Sequence, residues 1–498
     1  MKCMRTLVLW VLGASALAAR PFTVVAYNGE HLFDVDGAAG FEEYQPAKYT
    51  RAHALTKFQN AARVLAKFEN GRGPDIIILS ELEADLTPAK ETLDYEKILA
   101  RYGMVTLADM LGPKFDPQVG DLPAEVLLAK ALSDLGVTGY RVVVAADESV
   151  ARNGRRIEHK NGVFTRFPVK SARTHPTLDA RPILEVELEI DGARLHVFSN
   201  HWKSGASDPA TEGTRVANAR TLRTRLDEIL RADPNADILI GGDLNSQYNH
   251  KQRYPQMPVA GINDVLRSQG NEAAVQGSQH DLYNLWFELP APERGSDTYR
   301  GEWGTLMHLI VSRGLYDYRG VQYVDNSFAV AKFPGLNTDA SGLPKRWSFD
   351  GAAGGGASDH FPLFARFITV NDGKADRYLA LQNPSVENAG PPPDTKIAFA
   401  NVDVVAAAVA PLSIPAGASI RIEAFKGKIF RVEGRVAKGS RLAVEYRGET
   451  YDVWSFDEAL RNKLRAEFPE GSTLRFYGEL GQFRDRWQFV IQDPSWVK

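Results

Sequence analysis

Five groups of polar residues stand at the ends of apolar, strand-like runs, and their types suit one reaction. Asn28 and Glu30 follow residues 22–27, and Glu81 follows residues 75–79. Asn200 and His201 follow residues 195–198, while Asp243 and Asn245 follow residues 237–240. Ser358, Asp359 and His360 come after a glycine-rich loop and before another apolar run. Any one group has an ordinary explanation, because Asp, Asn and Ser at strand ends make local turn hydrogen bonds. Five together, each at the exit of a buried strand, point to a site. Hydrolysis of a phosphodiester needs a cation to neutralise charge on the phosphoryl oxygens, and Mg²⁺ takes one or two carboxylates with waters and substrate oxygens. Glu81 is the first expected ligand. Asp243 is suited to hold or deprotonate an attacking water, and Asn245 to orient that water or a phosphate oxygen. His201 and His360 can donate to the non-bridging oxygens, and one of them can protonate the leaving oxygen.

The elements that must carry these residues alternate between two periods. Strand-like runs cover residues 22–27, 75–79, 140–145, 183–190, 195–198, 237–240 and 308–311, and helical spacing is clearest over 55–68 and 214–230. Such alternation predicts a layered α/β protein in which polar residues ending the core strands gather at one rim.

At these residues the chain resembles the endonuclease/exonuclease/phosphatase superfamily, which includes deoxyribonuclease I-like nucleases. The motifs are Tyr27-Asn28-Gly29-Glu30-His31-Leu32-Phe33-Asp34, residues 75–81, Asn200-His201-Trp202-Lys203-Ser204, Gly241-Gly242-Asp243-Leu244-Asn245 and Ser358-Asp359-His360. Residues 162–168 resemble the family's strand before the histidine motif, and the opening resembles bacterial extracellular nucleases. The resemblance covers residues 22–368 in the family's order. It implies two packed mixed β-sheets flanked by helices, a four-layer α/β sandwich with the site at one end. It also implies Asn28, Glu81 and Asp359 as metal residues for Mg²⁺ or Mn²⁺, with His201, Asp243, Asn245 and His360 as catalytic residues.

One departure stands out. Where the family's strand before the last motif carries an Asp that hydrogen-bonds the final histidine, this chain has Met307. A thioether cannot stabilise an imidazolium, so either another acid substitutes, with Glu302 and Asp350 as the candidates, or activity is reduced. In the second case Met307→Asp is expected to raise turnover. His308 reads as a strand-edge residue.

With 498 residues, 44% hydrophobic and 24% charged, the chain has enough apolar content for two folded units. The expected division is a signal peptide over 1–19, a catalytic domain over 22–370, a Pro-rich linker over 371–395 and an OB-like domain over 396–498. The first residues combine a charged start, an apolar run too short to span a bilayer and an Ala-rich end, which predicts export without a retained membrane anchor. The only cysteine, Cys3, lies in that segment, so the mature chain has neither a disulfide nor a thiolate ligand. The net charge of −3 does not distinguish partners. From residue 396 onward, however, 16 Lys and Arg stand against 13 Asp and Glu.

The tail reads as short strands over 419–425, 429–436, 441–446, 450–454, 473–480 and 487–491, with a helix over 456–468. This pattern resembles a small Greek-key barrel of the oligonucleotide/oligosaccharide-binding kind. Lys426, Lys428, Arg431, Arg435, Arg441 and Arg447 among Phe425, Phe430, Tyr446 and Trp454 suit contact with single-stranded nucleic acid, although alternate aromatics equally suit a barrel core. The expected function is an exported metal-dependent phosphodiesterase acting on nucleic acid. The alternatives are a phosphoesterase for a lipid head group or phosphorylated small molecule, and a weakened enzyme that binds nucleic acid.

Overall fold

Fourteen strands lie side by side in two seven-stranded sheets, and their register decides which polar groups meet. The computed structural model describes residues 21–85, 94–146, 154, 156–299, 301–371, 404–410, 414–415, 417–422, 425–483 and 486–498. The expected signal peptide and nearly all of the expected linker lie outside these residues.

The first sheet uses β1 (Phe22–Leu32), β2 (Ile76–Glu83), β3 (Arg141–Val144) and β4 (His159–Thr165). The second begins with β5 (Val169–His175), β6 (Ile183–Ile190), β7 (Ala193–His201) and β8 (Ile238–Asp243), and continues through β9 (Ser268–Gln269) and β10 (Leu282–Asn284). A separate hairpin, β11 (Asp297–Tyr299) and β12 (Glu302–Gly304), precedes β13 (Met307–Val311) of the second sheet. β14 (Arg319–Tyr323), β15 (Ala329–Val330) and β16 (Leu363–Asn371) complete the first. The orders are β14-β16-β1-β2-β4-β3, with β15 on β16, and β5-β6-β7-β8-β13-β10-β9. Both sheets are mixed: β1 runs parallel to β2 and β7 to β8, while β1 is antiparallel to β16 and β8 to β13.

Alternation along each strand sorts the layers. Val24, Ala26, Ile76 and Ile78 meet Val197, Leu239, Met307 and Leu309 between the sheets. Val25, Tyr27, Ile77 and Leu79 face the other way, toward α1 (Arg51–Leu65) and α2 (Ala124–Asp134). Phe198, Ile238, Ile240 and Ile310 pack beneath α3 (Pro209–Ala232). The result is the expected four layers: helix, sheet, sheet, helix. Among the described residues no helix is long and apolar enough to cross a membrane.

Packing is tight where the Gly241-Gly242 pair precedes Asp243. A Cβ on Gly241 would lie 2.6 Å from Ile78 Cδ1, and one on Gly242 would lie 2.2 Å from the Asn200 carbonyl. Gly242 also sits at φ 114°, where an L side chain is strained. Gly242→Ala is therefore expected to destabilise the domain by about 3 kcal/mol or more, from strain and overlap together. A melting curve matching the parent's would contradict this packing.

The C-terminal region forms a closed barrel of β17 (Ile429–Val436), β18 (Ala443–Tyr446), β19 (Glu449–Trp454), β20 (Thr473–Phe483) and β21 (Arg486–Val490). The barrel order is β17-β18-β19-β21-β20, β19 and β21 run parallel, and α4 (Glu458–Glu467) lies between β19 and β20. This fits the small OB-like barrel expected. The strand expected over 419–425 does not form among the described residues there. Phe430 is core rather than surface, and Arg435 and Arg447 bind the backbone oxygens of Gly471 and Pro415.

Candidate active site

Parity explains most of the convergence. Asn28 continues the Val24–Ala26 face of β1, His201 the Leu195–Val197 face of β7, and Asp243 the Leu239 face of β8, so all three end on the inter-sheet side. Glu81 breaks that rule. Its position shares a face with Ile77 and Leu79, which look toward the helices. The β1–β2 register shifts between Asn28 and Leu32, and the β2–β4 register shifts between Leu79 and Leu82. Within these bulges Glu30, His31 and Glu81 take left-handed φ values of 47°, 64° and 64°. Bulges re-aim side chains, and non-glycine residues hold such strained backbone only where the surroundings impose it.

The polar groups then interlock. Asn28 Nδ2 donates to Glu81 Oε1 at 3.1 Å and to Asp243 Oδ2 at 3.2 Å, while Asn28 Oδ1 accepts from the Glu30 amide at 2.9 Å. Asn28 thus clamps two carboxylates together through its amide nitrogen, while its oxygen accepts from the Glu30 amide. The amide orientation follows from these partners. Asp243 Oδ1 accepts from Asn245 N at 2.8 Å, and Asn245, at φ 46°, donates its own amide to the Trp202 carbonyl. Asn200 lies apart from the chemistry, because its Oδ1 accepts from Trp202 Nε1. Ser358 Oγ donates to the Asn28 carbonyl at 2.7 Å and accepts from His360 N, which fastens the last motif to β1.

Two histidines flank Asp243 Oδ2, each with Nε2 at 3.8 Å, but in opposite charge states. His201 lies 3.7 Å from Glu81 Oε1. Burial and the Arg181 guanidinium keep it far below the usual histidine range, hence neutral. For His360 burial acts in the same direction, but Asp359, Asp243, Asp297 and Glu81 outweigh it and push the imidazolium up to about 9. Burial pushes Asp243 up to about 6, partly offset by His360. Asp359, with a third of its side chain exposed, stands 3.7 Å from His360 Nε2 and 3.7 Å from Arg346.

The acid beside His360 is neither of those expected. Glu302 pairs with Arg253 at 2.9 Å, and Asp350 is exposed, with its backbone amide on Ser348 Oγ. Met307 is fully buried between the sheets. A third acid, Asp297 of the β11–β12 hairpin, lies nearby: it pairs through its backbone with His360, and its charge adds to those of Asp359 and Asp243 in favouring the imidazolium, while His360 Nδ1 has no hydrogen-bond partner among the described residues. Its Oδ1 accepts from Ser296 Oγ and Leu306 N, and a Cβ on Gly304 would fall 2.0 Å from its Oδ2. His308 is not a strand-edge residue either. Buried in β13, between β8 and β10, it lies 2.8 Å from the Ser246 carbonyl and 3.1 Å from Asn284 Nδ2.

Two cations at the site have no counterpart in the expectations. Lys57 is 1% exposed on α1, with Nζ 4.7 Å from the Trp347 ring centre. Burial lowers it to about 8, against the pull of Glu30, Asp359 and Glu81. A lysine at the helical position between Ala54 and Ala61, both buried, was the available signal. Arg181 precedes β6 and feels both Glu81 and Asp243.

Glu81 and Asp243, held by one amide donor, are oxygen donors that fit a hard divalent cation, and Asp359 adds a third carboxylate at the rim. Such a cation would supply charge neutralisation at the phosphoryl oxygens. Around it Asp243 can take a proton from water, and His360 can give one to a leaving oxygen.

Comparison with known proteins agrees in kind. No curated protein matches the chain. Similar solved structures include TDP2 from C. elegans (16% identity, TM-score 0.37, covering 70% of this chain and 75% of that one). An endonuclease/exonuclease/phosphatase family protein from Leptotrichia buccalis gives 14%, 0.38, 70% and 99%, and one from Bacteroides thetaiotaomicron gives 13%, 0.38, 72% and 99%. Residues 155–369, which carry His201, Asp243, Asn245, Asp359 and His360, match the model described as Endonuclease/Exonuclease/phosphatase family. Over this region the chain is similar to the endonuclease/exonuclease/phosphatase family.

Proposed function

We propose that the chain is an exported phosphodiesterase that hydrolyses nucleic acid with a divalent cation, Mg²⁺ or Mn²⁺. The observation that carries this reading is the Asn28 amide binding Glu81 and Asp243 at once, with a neutral and a protonated histidine on either side. Paired carboxylates serve the cation and the water, and the charged histidine serves the leaving oxygen. Export rests on the composition of residues 1–19. The barrel supports a role in holding a single strand. Arg441, Trp454, Phe456, Arg461 and Phe483 line one cleft of about 770 Å³, and the Arg461 guanidinium lies 4.6 Å from the Trp454 ring centre. Exposed aromatic faces beside arginines are what stacking bases and neutralising phosphates require.

The test is turnover of plasmid DNA, of RNA and of bis-phosphate small molecules after chelation. EDTA is expected to abolish cleavage and added Mg²⁺ or Mn²⁺ to restore it. Full activity in excess EDTA would overturn the cation. Turnover of the small phosphates alone would overturn the nucleic-acid substrate.

A further inference from the structure

Beside Glu81 lies a second cluster, built from side chains that the reading above does not use. His31 Nδ1 is 2.8 Å from His159 Nε2 and 3.3 Å from Glu81 Oε2, and the three donor atoms lie within 4.8 Å of one another. His159 is 2% exposed, whereas a third of the His31 side chain reaches solvent. The left-handed backbone at His31 and Glu81 creates the meeting, and the His31 amide ties it by donating to Glu81 Oε2 at 2.9 Å. Glu81 thus faces both ways, with Oε1 toward Asn28 and His201 and Oε2 toward His31 and His159.

The proton inventory is short for this geometry. Arg181 Nη2 lies 3.2 Å from His159 Nδ1 and has only hydrogens to offer, so Nδ1 is the accepting nitrogen and the ring proton sits on Nε2. That proton points at His31 Nδ1, whose lone pair already lies close to a Glu81 lone pair. Glu81 Oε2 has the His31 amide proton, but no hydrogen is left to lie between Oε2 and His31 Nδ1. A cation at the same point would receive lone pairs from both imidazoles and the carboxylate at once.

We propose that His31, His159 and Glu81 form a second cation site, selective for first-row transition-metal ions such as Mn²⁺, Co²⁺ or Zn²⁺ over Mg²⁺. Two imidazole nitrogens and one carboxylate oxygen are a borderline donor set, which Mg²⁺ disfavours. The proposal rests on the reading of Glu81 as a cation-binding group, which it extends from one ion to two sharing one carboxylate. The expectation of oxygen ligands alone overlooked His31 and His159. A His159 that ligates through Nε2 carries its proton on Nδ1, so it must give up the Arg181 contact. Arg181 is then a competitor of the ion.

The test uses the full chain, stripped by chelation and titrated with Co²⁺, with binding followed by calorimetry and by visible absorption. Wild type is expected to bind Co²⁺ with a d–d spectrum that Mg²⁺ at millimolar excess leaves in place. His31→Ala and His159→Gln are expected to weaken that binding by at least about tenfold and to remove the spectrum. Arg181→Gln, which removes the competing charge and offers an acceptor to Nδ1–H, is expected to tighten it. Asp243→Asn is expected to retain the spectrum, since Asp243 is linked to Glu81 only through Asn28, on the Oε1 side. Unchanged spectra and affinities in both folded histidine variants would overturn the second site, as would the absence of saturable Co²⁺ binding by wild type. Mg²⁺-dependent cleavage of DNA is scored separately. Cleavage without Co²⁺ binding sinks only the second site, and histidine-dependent Co²⁺ binding without cleavage sinks only the nuclease reading.

Discussion

Asp243→Asn is expected to lower turnover of a DNA phosphodiester by about 10²–10⁴-fold, the range for losing a positioned general base. Asparagine keeps the oxygen that accepts from Asn245 N, so the loop after β8 should hold its shape. Only proton acceptance and charge are lost. The pH profile of the parent shows the same group. Asp243 is pushed up to about 6 and His360 to about 9, so between these values one is ionised while the other keeps its proton. The rate should rise as pH passes about 6 and fall as it passes about 9. A cation bound beside Asp243 favours its ionised form, which moves the acid limb downward. Single-turnover rates within threefold of the parent would remove Asp243 from the chemistry.

Asp297→Asn is expected to cut turnover by about tenfold and to move the alkaline limb down by about one pH unit. Burial opposes the His360 imidazolium, and carboxylates including Asp297 maintain it. Deleting a negative neighbour favours the neutral ring, so the folded pKa can only fall. The asparagine oxygen can still accept from Ser296 and Leu306, so a change in the profile without a change in melting temperature is the signature sought. Met307→Asp, placed in a fully buried apolar setting, is expected to destabilise the domain and not to raise turnover. An alkaline limb that stays in place in Asp297→Asn would show that Asp359 and Asp243 hold the proton without it.

Period-2 alternation made much of the site legible. Counting from Val24, Leu195 and Leu239 places Asn28, His201 and Asp243 on one face without any coordinates. Glu81 was legible only as a polar residue in the right motif, since its direction depends on a bulge that alternation does not contain. Lys57 is visible as a charge on the buried face of α1, but helical spacing alone does not say that the charge reaches the site. Asp297 carried almost no signal. Its strand is three residues long, and its relation to His360 is an isolated bridge to a residue 63 positions away. His308 shows the converse error: a polar residue read as an edge was a satisfied interior group.

The carboxylate on the hairpin also bears on how such chains change over time. An acid at position 307 and an acid at position 297 would crowd two negative charges into one buried corner, while a chain with neither leaves His360 with fewer anions to keep its proton. Gly304 adds a lock, since any side chain there would strike Asp297. Met307 alone therefore does not decide whether His360 keeps its proton, since a buried acid ten positions upstream adds its charge.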